Sequence, residues 1–191
     1  YLAEKLTPIE YYRDQIRALR QMFEEQRPQI VLARRVLQET HPNVREKLVV
    51  NLIVKSILLG VPQRQKLEKE LGVQVPFFFV ISPTMRCNLN CYGCYAGQYR
   101  KESDMPIELL DRLCNEAEEM GMNFLTISGG EPFIRKEHLD LFEKHPDIAF
   151  QIYTNGTLIN REVAKRLAQM GNVYPAISVE GYEKETDERR G

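Results

Sequence analysis

Apolar positions follow a helical rhythm over the first third of the chain and switch to short strand-like blocks near residue 75. Ile9, Tyr12, Ile16, Leu19 and Phe23 lie three or four apart, the stripe of one amphipathic helix. Thr7 and Pro8 predict its start, as a cap followed by a residue preset for the first turn. Pro28 interrupts or kinks the pattern, Ile30 to Thr40 resumes it, and His41-Pro42-Asn43 breaks it. Val44 to Leu59 predicts a further helix, ended by Gly60-Val61-Pro62. Lys66 to Leu71 predicts a short one before Gly72. The most apolar segment, Leu48 to Val61, contains Asn51 and Lys55 and falls short of the roughly 20 residues of a spanning helix. It reads as a buried helix, with peripheral contact to a membrane surface left open.

From Val75 to Ile81 the residues are almost continuously apolar, as in a strand buried on both faces. Pro106 to Met120 then predicts a helix and Phe124 to Ile127 a strand. His138 to Glu143 predicts a short helix and Ile148 to Tyr153 a strand. Asn160 to Met170 predicts a helix and Val173 to Val179 a strand. Four strands joined through helices predict a parallel α/β sheet with right-handed crossovers. Tyr182 to Gly191 is polar and predicts no further strand. A complete eight-stranded barrel takes about 250 residues. The expectation is therefore an all-helical region over 1–75, followed over 76–191 by the first four units of a truncated (β/α) barrel. The plainer alternative is a small open α/β sheet.

Composition adds little against this picture: 191 residues, 43% hydrophobic and 28% charged, are ordinary for a globular chain. The net charge of -1 offers no global field for nucleic acid. Of the 26 basic and 27 acidic residues, 13 and 9 fall in 1–75, so the helical region is mildly basic and the rest mildly acidic. Residues 1–7 hold no long apolar run of the secretory type.

Cysteine changes the picture. Three of the four cysteines are Cys87, Cys91 and Cys94, directly after the first strand. Such closely spaced thiols form a ligand pattern rather than a disulfide framework, and a reducing cytoplasm is the expected location. They could hold zinc with an outside ligand or three irons of a cubane cluster. Zinc sites normally complete four protein ligands, and no second cysteine pair follows. Cys114 lies on the apolar face of a helix and reads as core. His138 and His145 are weaker candidates for a fourth ligand. Three ligands for four irons leave one iron open for chemistry. Asn88, Asn90 and Gly93 permit the turns that let the thiols converge.

Further motifs stand on successive strand ends: Gly129-Gly130-Glu131-Pro132, Thr154-Asn155-Gly156 and Ser178-Val179-Glu180-Gly181. With the C-x3-C-x2-C loop, this order resembles the radical S-adenosylmethionine (radical SAM) superfamily, over about residues 76–191. The resemblance implies a partial or full (β/α) barrel holding a [4Fe–4S] cluster on Cys87, Cys91 and Cys94. It implies S-adenosylmethionine chelating the fourth iron through its amino and carboxylate groups. Reductive cleavage would then give methionine and a 5′-deoxyadenosyl radical that abstracts hydrogen from substrate. Gly129 and Gly130 would admit the methionine amino group, Glu131 would orient the amine or the loop, and Pro132 would stiffen the turn. Asn155 and Glu180 would contact the ribose or carboxylate side, and Tyr95 would pack the adenine. Two positions depart from the common pattern: Gly93 replaces an aromatic before the third cysteine, and Glu180 replaces the more usual aspartate.

Members of this type modify peptides, proteins, cofactors, lipids or other small molecules, some with auxiliary clusters in a C-terminal extension. They take electrons from flavodoxin or ferredoxin. Arg86 and Arg100 bracket the cysteine loop and could balance a cluster's charge or guide such a donor. Lys184, Arg189 and Arg190 read as surface charge. The alternatives are a non-catalytic iron–sulfur or zinc module, and a member acting on tRNA, which the charge disfavours.

Overall fold

The computed structural model describes residues 10–99 and 104–190. Thr7, Pro8 and Arg100 lie outside the described residues. The chain divides into two compact units, Tyr1–Thr40 and His41–Gly191. The first contains α1 (Glu10–Glu24) and α2 (Pro28–Glu39). Pro28 separates the two instead of kinking one, because it occupies the first turn of α2, where no donor is needed. Thr40 closes α2, its hydroxyl donating to Val36 O at 2.6 Å.

The second unit begins with α3 (Pro42–Lys47), α4 (Leu48–Leu59) and α5 (Gly60–Leu71), of which α4 is wound as a wide π-helix. Gly60-Val61-Pro62 does not end a helix. It lies at the changeover from wide to α winding, in the first turn of α5, where Pro62 costs no hydrogen bond. The expected buried apolar helix is also inverted. Asn51 and Ser56 are the fully buried residues of α4, whereas Val49, Ile53, Ile57, Leu58 and Leu59 are exposed. The cause is a distant partner: Asn51 Nδ2 donates to Pro146 O at 3.0 Å, and Ser56 Oγ donates to Asn51 O at 2.8 Å. The Pro146 carbonyl, in the loop before β3, thus draws the polar side of the helix inward. No described helix is long and apolar enough to cross a membrane.

The strands β1 (Phe79–Ile81), β2 (Phe124–Ile127), β3 (Ala149–Thr154) and β4 (Val173–Ile177) form one parallel sheet in that order. They are joined through α6 (Ile107–Glu119), α7 (Glu137–Lys144) and α8 (Arg161–Met170), and α9 (Glu183–Arg190) follows β4. This is the parallel sheet with helices of a partial (β/α) barrel. On one face Leu125, Ile127, Phe150 and Ile152 are fully buried among Leu110, Cys114, Phe142 and Leu167. Asn160 caps α8 by accepting from Val163 N at 2.9 Å.

β1 is shorter than its apolar run. Pairing begins at Phe79↔Leu125, because β2 itself starts at Phe124. Val75 to Phe77 therefore extends past the start of β2, and Pro76 lacks a donor in any case. Phe77 and Phe78 pack on the Phe124 ring at 6.2 and 5.8 Å instead, and Val80 is 57% exposed.

Candidate functional site

The segments leaving β1 and β2 are joined backbone to backbone past the end of the sheet. Ser128 N donates to Ile81 O, Gly130 N to Thr84 O and Glu131 N to Arg86 O, each at 2.8 Å. Two glycines make this approach possible. A Cβ on Gly129, where φ is +106°, would collide with the Thr84 carbonyl, and one on Gly130 with the Arg86 carbonyl. The pair therefore seats the backbone that leads into Cys87. Beyond it, Asp104 accepts from Thr84 Oγ1 at 2.6 Å and pairs with Arg86, so Arg86 is not free solvated charge.

Glu131 is fully buried. Its Oε1 accepts from Thr154 Oγ1 at 2.8 Å and Phe133 N at 3.1 Å, and its Oε2 accepts from Asn155 N at 2.8 Å. Glu131 thus ties the end of β2 to the end of β3. Pro132 is buried and opens a single 3₁₀ turn, Pro132–Ile134. The Asn155 side chain reaches the cysteine loop: Nδ2 donates to Asn88 Oδ1 at 3.0 Å and to Cys87 Sγ at 3.8 Å.

Cys87, Cys91 and Cys94 are free and half-buried. All three line one cavity of about 320 Å³ with Tyr95, Gly129, Gly130, Glu131, Asn155, Arg189 and Arg190. That volume lies at the lower end of the roughly 300–1,000 Å³ of cofactor sites. Tyr95 OH lies 3.1 Å from Ser128 Oγ, leaving its ring half-exposed at the cavity. Among the described residues no group of three His, Cys, Asp or Glu side chains could hold a single metal ion. The donor set is three soft thiols on one cavity wall, with backbone and amide N–H groups turned to sulfur at Cys87. Such a set fits an iron–sulfur cluster better than a four-ligand zinc site.

The segment after β4 brings Glu180 together with two arginines that the sequence reads as surface charge. Glu180 pairs with both Arg189 and Arg190, and those guanidiniums hold its carboxyl below the usual range, Arg190 contributing most. Arg189 O accepts from Tyr92 N at 2.9 Å, so α9 packs on the cysteine loop. Arg189 and Arg190 are thus cavity-wall residues rather than plain surface charge, while Lys184 remains exposed. Only a helix starting just past Gly181 brings residues nine and ten positions on back to Glu180, and a polar run of this composition does not announce one.

The other candidate ligands lie elsewhere. Cys114 is fully buried, and desolvation pushes its thiol up to about 12. His138 is buried, with Nδ1 2.8 Å from Pro132 O. His145 Nε2 lies 2.8 Å from Asp111 Oδ1, at the opposite edge of the sheet.

Comparison with known proteins agrees with this geometry. Fe-coproporphyrin III synthase of Methanosarcina barkeri is 36% identical over 112 residues, covering 56% of this chain and 28% of that protein. Mycofactocin maturase MftC of Mycobacterium ulcerans is 33% identical over 127 residues, covering 62% and 33%. The chain spans about a third of the length of these curated relatives. Streptococcus suis SuiB bound to S-adenosylmethionine superposes with a TM-score of 0.57 at 26% identity, covering 70% of this chain and 32% of that one. The family described as the Radical SAM superfamily matches residues 81–191, more than half of the sequence, and the chain belongs to it.

Proposed function

We propose that Cys87, Cys91 and Cys94 hold a [4Fe–4S] cluster and that the adjoining cavity binds S-adenosylmethionine, in an enzyme that acts on a peptide or other small substrate. The observation that carries this is the single cavity shared by the three thiols and the exits of β2, β3 and β4. The chemistry supplied when both groups are bound is reductive cleavage of S-adenosylmethionine, giving a radical that takes hydrogen from substrate.

The chain's own residues hold and orient. Gly129 and Gly130 seat the cysteine loop against β2, and Glu131 fixes the β3 exit beside it. Tyr95 offers a ring face to a planar base, its hydroxyl anchored at Ser128. Glu180 keeps Arg189 and Arg190 at the cavity wall, where they offer charge-assisted donors to a carboxylate. A peptide substrate is supported by the likeness to SuiB, which has been solved with its precursor peptide SuiA at a TM-score of 0.56. The half-exposed cysteine loop suits delivery of electrons by a flavodoxin or ferredoxin.

The test is anaerobic reconstitution with iron and sulfide, then dithionite and S-adenosylmethionine, with 5′-deoxyadenosine as the readout. Product is expected from the wild type and none from Cys87→Ala, Cys91→Ala or Cys94→Ala. Tight zinc with no iron–sulfur cluster overturns the reading.

A further inference from the structure

We infer that Asn155 is a positioning residue for Cys87, donating a side-chain hydrogen bond that sets this sulfur apart from that of Cys91. The inference rests on the cluster reading above and adds a role that reading leaves open. Asn155 belongs to the turn after β3, and its backbone N–H is held by Glu131 Oε2. Its side-chain oxygen accepts from Thr157 N at 2.9 Å and from Thr157 Oγ1 at 2.7 Å. Thr157 Oγ1 in turn accepts from Asn88 Nδ2 at 2.8 Å. The ring closes where Asn155 Nδ2 donates to Asn88 Oδ1 at 3.0 Å.

This ring fixes which way the amide points. Flipping it would set its NH₂ against the Thr157 N–H and its oxygen against Asn88 Oδ1, losing the backbone bond and the bond to Asn88. Nδ2 is therefore turned toward Cys87 Sγ, 3.8 Å away, and Leu89 N adds a second donor at 3.5 Å. Cys91 is placed differently, its Sγ lying 3.9 Å from the Arg190 carbonyl. Donors on a ligating sulfur withdraw charge from it, which favours the reduced cluster and raises its potential.

The experiment is a spectroscopically monitored redox titration of the reconstituted protein without S-adenosylmethionine, with iron release to a chelator followed in parallel. Asn155→Asp keeps an oxygen for Thr157 and removes the donor to sulfur. It is expected to move the midpoint to more negative potential and to speed iron release about tenfold. Asn155→Ser, neutral and too short to reach Cys87, is expected to shift both in the same direction. It separates loss of the donor from the charge that aspartate adds, and a wild-type midpoint in the serine variant overturns the role. A folded, iron-loaded variant with the wild-type midpoint and release rate overturns the role of Asn155 and leaves the cluster reading standing. A wild-type protein that takes up no cluster overturns that reading, and this inference with it.

Discussion

At the edge where the strands begin, side chains hold backbone. Asn172 Nδ2 donates to Phe142 O and His145 O, both at 2.9 Å, Asn51 to Pro146 O, and Asn123 to Asp147 O at 3.2 Å. At the edge where the strands end, much of the holding is done by backbone. Ser128, Gly130 and Glu131 bond directly to Ile81, Thr84 and Arg86, with the Glu131 carboxylate as a buried cross-tie. The first arrangement uses up its polar side chains on structure. The second leaves thiols, a tyrosine ring and two guanidiniums facing a cavity. Buried polarity occurs at both edges, so it does not by itself mark the site. What marks it is that three thiols and a tyrosine ring face one cavity, while the guanidiniums on its wall also tie α9 to the cysteine loop.

That contrast breaks most severely at Glu131. Glu131→Ala leaves Thr154 Oγ1, Asn155 N and Phe133 N without their acceptor in a buried place, and is expected to cost about 3 kcal/mol. Gly130→Ala drives a Cβ into the Arg86 carbonyl and is expected to cost about 2 kcal/mol. Both should release the cysteine loop and lower iron uptake. Gly97→Ala, with nothing near the added carbon, should stay within about 0.5 kcal/mol of wild type. Denaturant unfolding and iron content check all three; equal effects at Gly97 and Gly130 would mean that close backbone approach does not organise this edge.

The sheet and most of the site were legible because their determinants are local. The blocks at Phe124, Ile148 and Val173 fall on β2, β3 and β4, since each is an apolar run between a helix end and a glycine-bearing loop. The cysteines and the Gly-Gly-Glu-Pro loop were visible as spacing and composition. What stayed hidden depends on distant partners. β1 is short because β2 starts late, α4 is inverted because the Pro146 carbonyl takes its Asn51, and Arg190 reaches the cavity because α9 folds back to Glu180. Glu131 was foreseen as a contact to the amine or to its own loop, but no local pattern shows that its carboxylate reaches β3.

The opposite edge provides a milder test of the contrast. His145 lies between Asp111, 2.8 Å from Nε2, and Glu118, 3.5 Å from Nδ1. Glu118 first and Asp111 next raise the imidazole above its ordinary value, against the effect of burial. The stabilisation from charged His145 is then complete below pH ~6.5 and is lost as pH rises through its elevated folded value. Asp111 behaves in the opposite sense: Lys144 and His145 lower its carboxyl, so its contribution is lost as pH falls through that depressed value. Chemical denaturation at a series of pH values should show stability declining above pH ~6.5, and His145→Gln should flatten that decline at a cost of ~1 kcal/mol in acid. A wild-type slope retained in the variant would place the titrating group elsewhere.

The smallest effect is expected at Glu180, where the contrast can be sharpened without unfolding anything. Its carboxylate is partly exposed and holds Arg189 and Arg190, and Arg189 O in turn accepts from the Tyr92 amide between Cys91 and Gly93. Glu180→Gln weakens the hold on both guanidiniums while leaving the sheet core untouched. The melting temperature should therefore stay where it is, because exposed ion pairs add little to global stability. Hydrogen exchange at Tyr92 should nevertheless quicken, since local opening needs only α9 to lift from the cysteine loop. A lowered melt would make α9 part of the core, and unchanged protection at Tyr92 would mean the Arg189 carbonyl holds the loop without help from Glu180. Faster exchange at an unchanged melt would show that this edge is organised by contacts that can loosen one at a time.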